Sequence, residues 1–204
     1  AAAAAAEHIF ALVLHHISAD GLSVVGLATE LSDAYRARLS GVAPEFVPLA
    51  VQYADFAIWQ QALLADGDGR AATELAYWQD RLADAPPVID LPTDRPRPAQ
   101  RSGIGARVDF DLDADLHARM LDHAQRHSAS AFMVAHTALA VLLGRLGANR
   151  DVVIGTPVAG REDERLERVV GMFVNMLALR TQIPADATGA EALAIARDAD
   201  LAAF

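Results

Sequence analysis

His15-His16-Ile17-Ser18-Ala19-Asp20-Gly21 places two imidazoles, a hydroxyl, a carboxylate and a glycine in one short stretch. A histidine whose ordinary pKa lies near 6.5 can take a proton from an attacking nucleophile near neutral pH, or accept its hydrogen bond and orient it. Adjacent histidines on an extended chain point to opposite sides, so His15 and His16 do not by themselves form a two-ligand metal site. The stretch directly follows an apolar run, and strand ends are where sites collect in α/β folds. The same residues also have a structural explanation: Asp20 can cap a helix starting at Leu22, Gly21 can make the turn, and two histidines can simply end a strand. His123 and His127 stand four apart on a predicted helix, a metal-like spacing. No third ligand accompanies them, and histidine near a helix C-terminus is favourable anyway. The absence of cysteine removes disulfides, iron–sulfur and thiolate zinc sites and cysteine nucleophiles together.

The elements that must position these groups can be read from periodicity. Residues 9–14 form a continuous apolar run, the pattern of a strand covered on both faces, and such a strand needs neighbours that the chain hardly supplies upstream. The chain therefore reads as a fragment, and the alanines at 1–6 as a tag or unassigned sequence. Helices are predicted over 22–39, 52–64 and 71–82, with a loop at 66–69 between the last two. Five prolines between 85 and 98 exclude a helix or a central strand and mark the best internal boundary. Alternation of Ile104, Ala106, Val108, Phe110 and Leu112 with polar residues predicts a strand. Asp113 can cap the next helix, and residues 131–146, nearly all apolar around His136, predict a central buried helix. A strand at 151–156 ending at Pro157, a charged loop and helix over 160–168, a strand at 173–183 and a helix from Glu191 complete a mixed α/β order. Tyr53, Phe56, Trp59 and Trp78 are assigned to packing.

The chain has 204 residues, 53% of them apolar, and a formal charge of 17 − 27 = −10. That is enough to bury a real core as one domain or two. An acidic balance argues against nucleic acid, which requires clustered Lys and Arg. The longest apolar stretch is too short to span a bilayer. The expected setting is cytoplasmic, with no membrane partner.

The stretch from His15 to Gly21 resembles the HHxxxDG signature of condensation domains of non-ribosomal peptide synthetases, in the chloramphenicol-acetyltransferase-like superfamily. Further matches follow in that family's order: Tyr53-Ala54-Asp55-Phe56-Ala57-Ile58-Trp59-Gln60, Leu91-Pro92-Thr93-Asp94-Arg95-Pro96-Arg97-Pro98, Ile154-Gly155-Thr156-Pro157-Val158-Ala159-Gly160-Arg161 and Val170-Gly171-Met172-Phe173-Val174-Asn175. Leu22 stands where many members have Trp, and Met176 where Thr is frequent. The resemblance implies a two-lobed α/β acyltransferase-like fold, incomplete here. Residues 7–84 would end the N-terminal lobe, 85–102 link the lobes, and 103–204 form part of the C-terminal lobe.

By the same resemblance the chain joins a donor acyl or peptidyl thioester to an acceptor aminoacyl thioester. His16 is the catalytic histidine, as general base or as the group that orients the amine. His15 supports the loop, and Asp20 pairs structurally with Arg161. Gly21 is read as φ-permissive backbone whose N–H can donate to an oxyanion. Ser18 and Asn175 are candidates to approach the substrate tunnel. No cofactor or metal is bound directly: phosphopantetheine arrives on upstream and downstream peptidyl carrier domains, with an adenylation domain expected in the same synthetase. The alternatives are an epimerisation domain of the same superfamily and a non-catalytic docking member.

Overall fold

The computed structural model describes residues 8–65, 69–96, 98–100, 102–147 and 149–204. The alanine run and most of the loop read at 66–69 lie outside these residues. Helix α1 (Gly21–Leu39) starts where the Asp20 carboxylate accepts the Ser23 N–H at 2.9 Å, satisfying a donor that the helix itself leaves unpaired. It stops at Gly41, whose φ of +74° lets Gly41 N–H reach Arg38 O at 3.0 Å and Val42 N–H reach Ala37 O at 3.0 Å, the Schellman arrangement. Helices α2 (Tyr53–Ala65) and α3 (Arg70–Arg81) follow.

Beyond the proline-rich stretch, α4 (Ala114–Arg126) is capped by Asp113, which accepts Leu116 N–H at 2.7 Å. Helix α5 (Ala131–Leu146) is capped by Ser130, and the two helices bend 102° apart across the intervening turn, where Ser128 has a φ of +51°. Strands β1 (Asp151–Val158) and β2 (Asn175–Gln182) form a two-stranded sheet. Ile183 N–H donates to Arg150 O at one end, while Gly155 lies against Met176 toward the other, so the strands run antiparallel. Helix α6 (Gly189–Ala203) opens with a reciprocal capping box: Thr188 Oγ1 accepts Glu191 N–H at 3.3 Å, and Glu191 Oε2 accepts Thr188 N–H at 2.7 Å. Among the described residues no single helix is long and apolar enough to cross a membrane.

Several expected elements differ. Residues 9–14 and 104–112 are not strands; their side chains are exposed, Ile9 at 83% and Val108 at 87%. Alternation or apolar continuity specifies a face, but a strand exists only where a neighbour satisfies its N–H and C=O groups. Strand β1 continues through Pro157 to Val158, because a proline lacking its N–H is tolerated on a sheet edge. The helix expected over 160–168 is a single 3₁₀ turn, Glu164–Leu166. The Arg161 guanidinium takes the carbonyls of Leu166, Glu167 and Val169, which a continuing helix ladder would otherwise use. Helix α5 buries one side, His136, Thr137, Ala140 and Gly144, and leaves Phe132, Leu139, Leu142 and Leu146 exposed, so it is not enclosed all round.

The chain divides into two compact units. One contains the described residues up to Ala76 together with Pro157–Asn175; the other contains Tyr77–Thr156 and Met176–Phe204. The division falls within α3 and not at the prolines, and the segment 157–175 joins the unit that carries His15 to Gly21. In the second unit Ala140, Ile183 and Ala192 form an apolar core with Val141, Ile154, Ala187 and Ile195. In the first, the buried set is small, with Asp20 and Ser23 enclosed among Ala19, Val169 and Phe173.

An arginine clamp closes the second unit. Arg180 grips Asp151 in bidentate fashion, Nε to Oδ1 at 2.8 Å and Nη2 to Oδ2 at 2.6 Å, and its Nη1 donates to Arg81 O at 3.0 Å and Ala83 O at 2.6 Å. Arg81 Nη2 returns a bond to Arg180 O at 2.8 Å. The guanidinium thus caps the carbonyl end of α3, where a cation is favoured, while fixing the β1–β2 pair. Hydrogen bonds from Arg180 hold the Asp151 carboxyl below its ordinary range. Arg180→Met leaves a largely buried carboxylate without its cation and is expected to lower the unfolding free energy by about 3 kcal/mol. Urea titration of the purified protein measures this; a change below about 0.5 kcal/mol, the range of ordinary surface substitutions, would remove the clamp from the stability of this unit.

Candidate functional site

His15 to Ser18 form a β-turn closed by Ser18 N–H donating to His15 O at 2.9 Å. His15 Nδ1 accepts the Ile17 N–H at 3.1 Å, which ties that ring to the turn backbone. His16 follows at the tip of the turn and is exposed. Immediately after Ser18 the chain becomes buried: Ala19 and Asp20 are 5% and 1% exposed. The turn is therefore a solvent-facing loop held at its root by a buried anchor.

That anchor is a network drawn from three distant segments. Asp20 N–H donates to Gly171 O at 3.0 Å. The Asp20 carboxylate accepts from Ser23 N at 2.9 Å, Ser23 Oγ at 2.8 Å, Arg161 Nη2 at 2.9 Å and Phe173 N at 3.2 Å. Arg161, 141 positions away in sequence, forms the ion pair with Asp20 between side chains only 4% and 0% exposed. Its second amino group spans the Leu166, Glu167 and Val169 carbonyls, and its plane covers the Phe173 ring, with Cζ 4.0 Å from the centroid. Burial opposes the charged form of Asp20, but the donors from Ser23, Arg161 and Phe173 outweigh it and hold the carboxyl at about 2, below its ordinary 3.8.

The aromatic side of the anchor comes from α2. Tyr53 OH donates to Met172 O at 2.9 Å, and Tyr53 and Phe56 pack on Phe173 with ring centroids 5.2 and 4.7 Å away. Trp59 touches Phe56 but is 58% exposed. Two glycines are sterically required. A Cβ on Gly160, at φ +63°, would lie 2.1 Å from Phe173 O, and one on Gly171 would lie 2.1 Å from the Tyr53 ring. Gly21 differs from expectation: it is the first residue of α1 and lies outside the left-handed region. A Cβ there would meet nothing within 4 Å, so the turn itself does not require glycine. Its N–H belongs to the first turn of α1, where the helix provides no acceptor.

Ser18 and Asn175 are both exposed. The His123 and His127 rings lie 4.5 Å apart, tilted by 52°, and among the described residues no three His, Cys, Asp or Glu side chains form a metal-binding group. Sequence inspection missed Ser23, the sole buried residue of α1. Its signal was present as the spacing Asp-x-x-Ser, an N-cap with its N3 partner, but a serine beside Leu22 and Val25 looks like part of a polar face. Also missed was His136 facing Asp200 across α5 and α6, with Nδ1 2.8 Å from Oδ1 and both side chains buried. Burial raises the Asp200 carboxyl, while the nearby His136 opposes that shift.

Because Asp20 is held below its unfolded value, its contribution is fully present above about pH 4 and is lost as pH falls toward 2. The shift corresponds to about 2 kcal/mol. Melting profiles between pH 5 and pH 2 should show this loss in the wild type and a flatter dependence in Asp20→Asn; equal slopes would reject the anchor as its source. Asp20→Ala is expected to lower melting, since it leaves a buried arginine unpaired at a cost of about 3–5 kcal/mol; an unchanged melting temperature contradicts the anchoring role. Gly171→Ala should cost about 3 kcal/mol through overpacking against Tyr53, with Tyr53→Ala in the same chain restoring part of it; a wild-type melting temperature for Gly171→Ala alone would contradict that contact.

Comparison with known proteins bears on what this anchored turn belongs to. Residues 2–203 match the family described as Condensation domain. CymA of Salinispora arenicola, described as a probable non-canonical nonribosomal peptide synthetase, is 49% identical over 206 residues, a match covering 100% of this chain and 3% of that protein. The X-domain from teicoplanin biosynthesis, solved in complex with OxyB, superposes with a TM-score of 0.85 at 38% identity, over 93% of this chain and 42% of the other. The first condensation domain of the CDA synthetase superposes with a TM-score of 0.71 at 25% identity, over 93% of this chain and 41% of the other. The chain thus spans a small fraction of its curated relative and about two fifths of the solved domains. A family match from end to end, similar folds and a buried Asp20–Arg161 pair beneath a double-histidine turn together identify the chain as belonging to the condensation-domain family of nonribosomal peptide synthetases.

Proposed function

We propose that this chain is part of a condensation domain that forms an amide between two thioester-bound groups, each carried on the phosphopantetheine arm of a carrier domain. The acceptor amine attacks the donor thioester carbonyl, a C–N bond forms, the C–S bond breaks, and the amine proton passes to the departing thiolate. His16 accepts a hydrogen bond from the amine, as general base or as the group that orients it. The observation that supports this most is the placement of His16: exposed at the tip of a turn whose root is locked by a buried ion pair. Such rootedness lets one imidazole be held at a reacting centre without burying it. Open space over Gly21, together with its helix-terminal N–H, suits an oxyanion donor. Ser18 and Asn175 are assigned to the substrate passage, and His15 to the turn.

In the parent synthetase the partners are upstream and downstream carrier domains and an adenylation domain, in the cytoplasm. Residues 7–84 are assigned to the end of the first lobe, 85–102 to the passage between lobes and 103–204 to part of the second, with 157–175 returning to the unit that carries His16. The likeness to an X-domain solved with OxyB favours, as a second reading, a member that docks a partner. Retention of both His16 and Asp20 favours chemistry.

The test is product formation by the full-length protein with two loaded carriers. His16→Ala should reduce dipeptidyl-thioester formation by about 10²–10⁴-fold. Equal product from both proteins would remove His16 from the mechanism, a D-configured product on a single carrier would establish epimerisation, and partner binding without any amide would establish docking.

A further inference from the structure

Ser23 sits where the three segments of the anchor meet. It is 3% exposed, and its hydroxyl contacts every one of them. Gly171 N–H donates to Ser23 Oγ at 3.1 Å, and Arg161 Nη2 donates to it at 2.9 Å. Its own proton has two acceptors in reach, Asp20 Oδ1 at 2.8 Å and Gly171 O at 2.9 Å. A hydroxyl has one proton and two lone pairs, so Ser23 is saturated in both roles. Asp20 and Arg161 contact each other directly, but each touches Gly171 by only one route or none. Asp20 reaches it through its own N–H, and the guanidinium reaches it through Ser23.

We propose that Ser23 is a positioning residue for His16: its hydroxyl fixes the Asp20 carboxylate and the Gly171 backbone in one arrangement, and through Asp20 it fixes the turn that carries His16. This rests on the condensation reading and adds a residue to it. Ser23 is enclosed within the anchor, so its removal acts on the placement of the histidine and not on contact with either substrate. Alanine at 23 leaves the Gly171 N–H and one Arg161 proton without their acceptor in a buried setting, and takes from Asp20 a donor that holds its carboxyl low. Threonine keeps the hydroxyl.

The experiment uses the full-length protein with separately loaded donor and acceptor carriers, comparing wild type, Ser23→Ala and Ser23→Thr. Expected for Ser23→Ala is a fall in kcat of about tenfold or more, with KM for both carriers within about twofold of wild type. Expected for Ser23→Thr is recovery of most of the lost kcat. Melting temperature and folded fraction are measured on the same samples, and rates are expressed per folded molecule. A wild-type kcat for Ser23→Ala overturns the proposal, as does an equal loss in both variants or a rise in KM that accounts for the loss. If the wild-type protein itself forms no amide, the condensation reading fails and the role of Ser23 in it fails with it, a result distinct from an active wild type beside an unimpaired Ser23→Ala.

Discussion

The charge pair between Asp20 and Arg161 is the contact around which the first unit is organised. In a region whose helices α1, α2 and α3 contribute a single buried residue among them, Ser23, apolar burial alone has little to act on. A carboxylate and a guanidinium removed from water are costly unless every remaining donor and acceptor is engaged. Here Asp20 receives four donors and Arg161 binds three carbonyls while covering an aromatic ring. The pair therefore demands the surrounding arrangement: Gly160 and Gly171 because no Cβ fits, Phe173 as a platform, and a 3₁₀ turn where a helix would withhold its carbonyls.

The second unit is held by a different balance. Its apolar core is small, built mainly of Ala140, Ile183, Ala192 and their neighbours, and its helices are closed locally by side-chain caps at Asp113, Ser130 and Thr188. What joins elements distant in sequence is again an arginine, Arg180, which ends α3 and pairs with β1. Both units thus rely on a guanidinium that binds a carboxylate with some of its donors and backbone carbonyls with the rest. Its fixed planar fork suits that double use, and an ammonium would not reproduce it.

The same network sets an exposed group beside a buried one. His16 lies in solvent at the tip of a short turn, and Asp20, four residues on, is inaccessible. A carboxyl held at about 2 stays ionised near neutrality, so Asp20 serves the anchor as a fixed charge and not as a proton carrier.

Local features were readable from sequence because they depend on neighbours a few positions away. Asp20, Asp113 and the prolines announce helix ends and interruptions, amphipathic spacing predicts α1 to α4, and the double histidine followed by Asp-Gly marks the candidate site. What sequence could not supply was anything requiring a partner from elsewhere. Residues 9–14 and 104–112 have strand patterns, yet no strand among the described residues pairs with them. Pro157 reads as the end of β1 until its place on a sheet edge removes the need for its N–H. Ser23 reads as a surface serine until Arg161 and Gly171 arrive beside it from more than a hundred positions away. Sequence alone determined which groups could do chemistry and where helices begin, since short-range hydrogen bonds and fixed φ angles govern both. Tertiary structure alone decided which carboxylate would be buried, which hydroxyl would be saturated and which glycines could bear no side chain, since those depend on desolvation and close approach between segments the chain brings together only when folded.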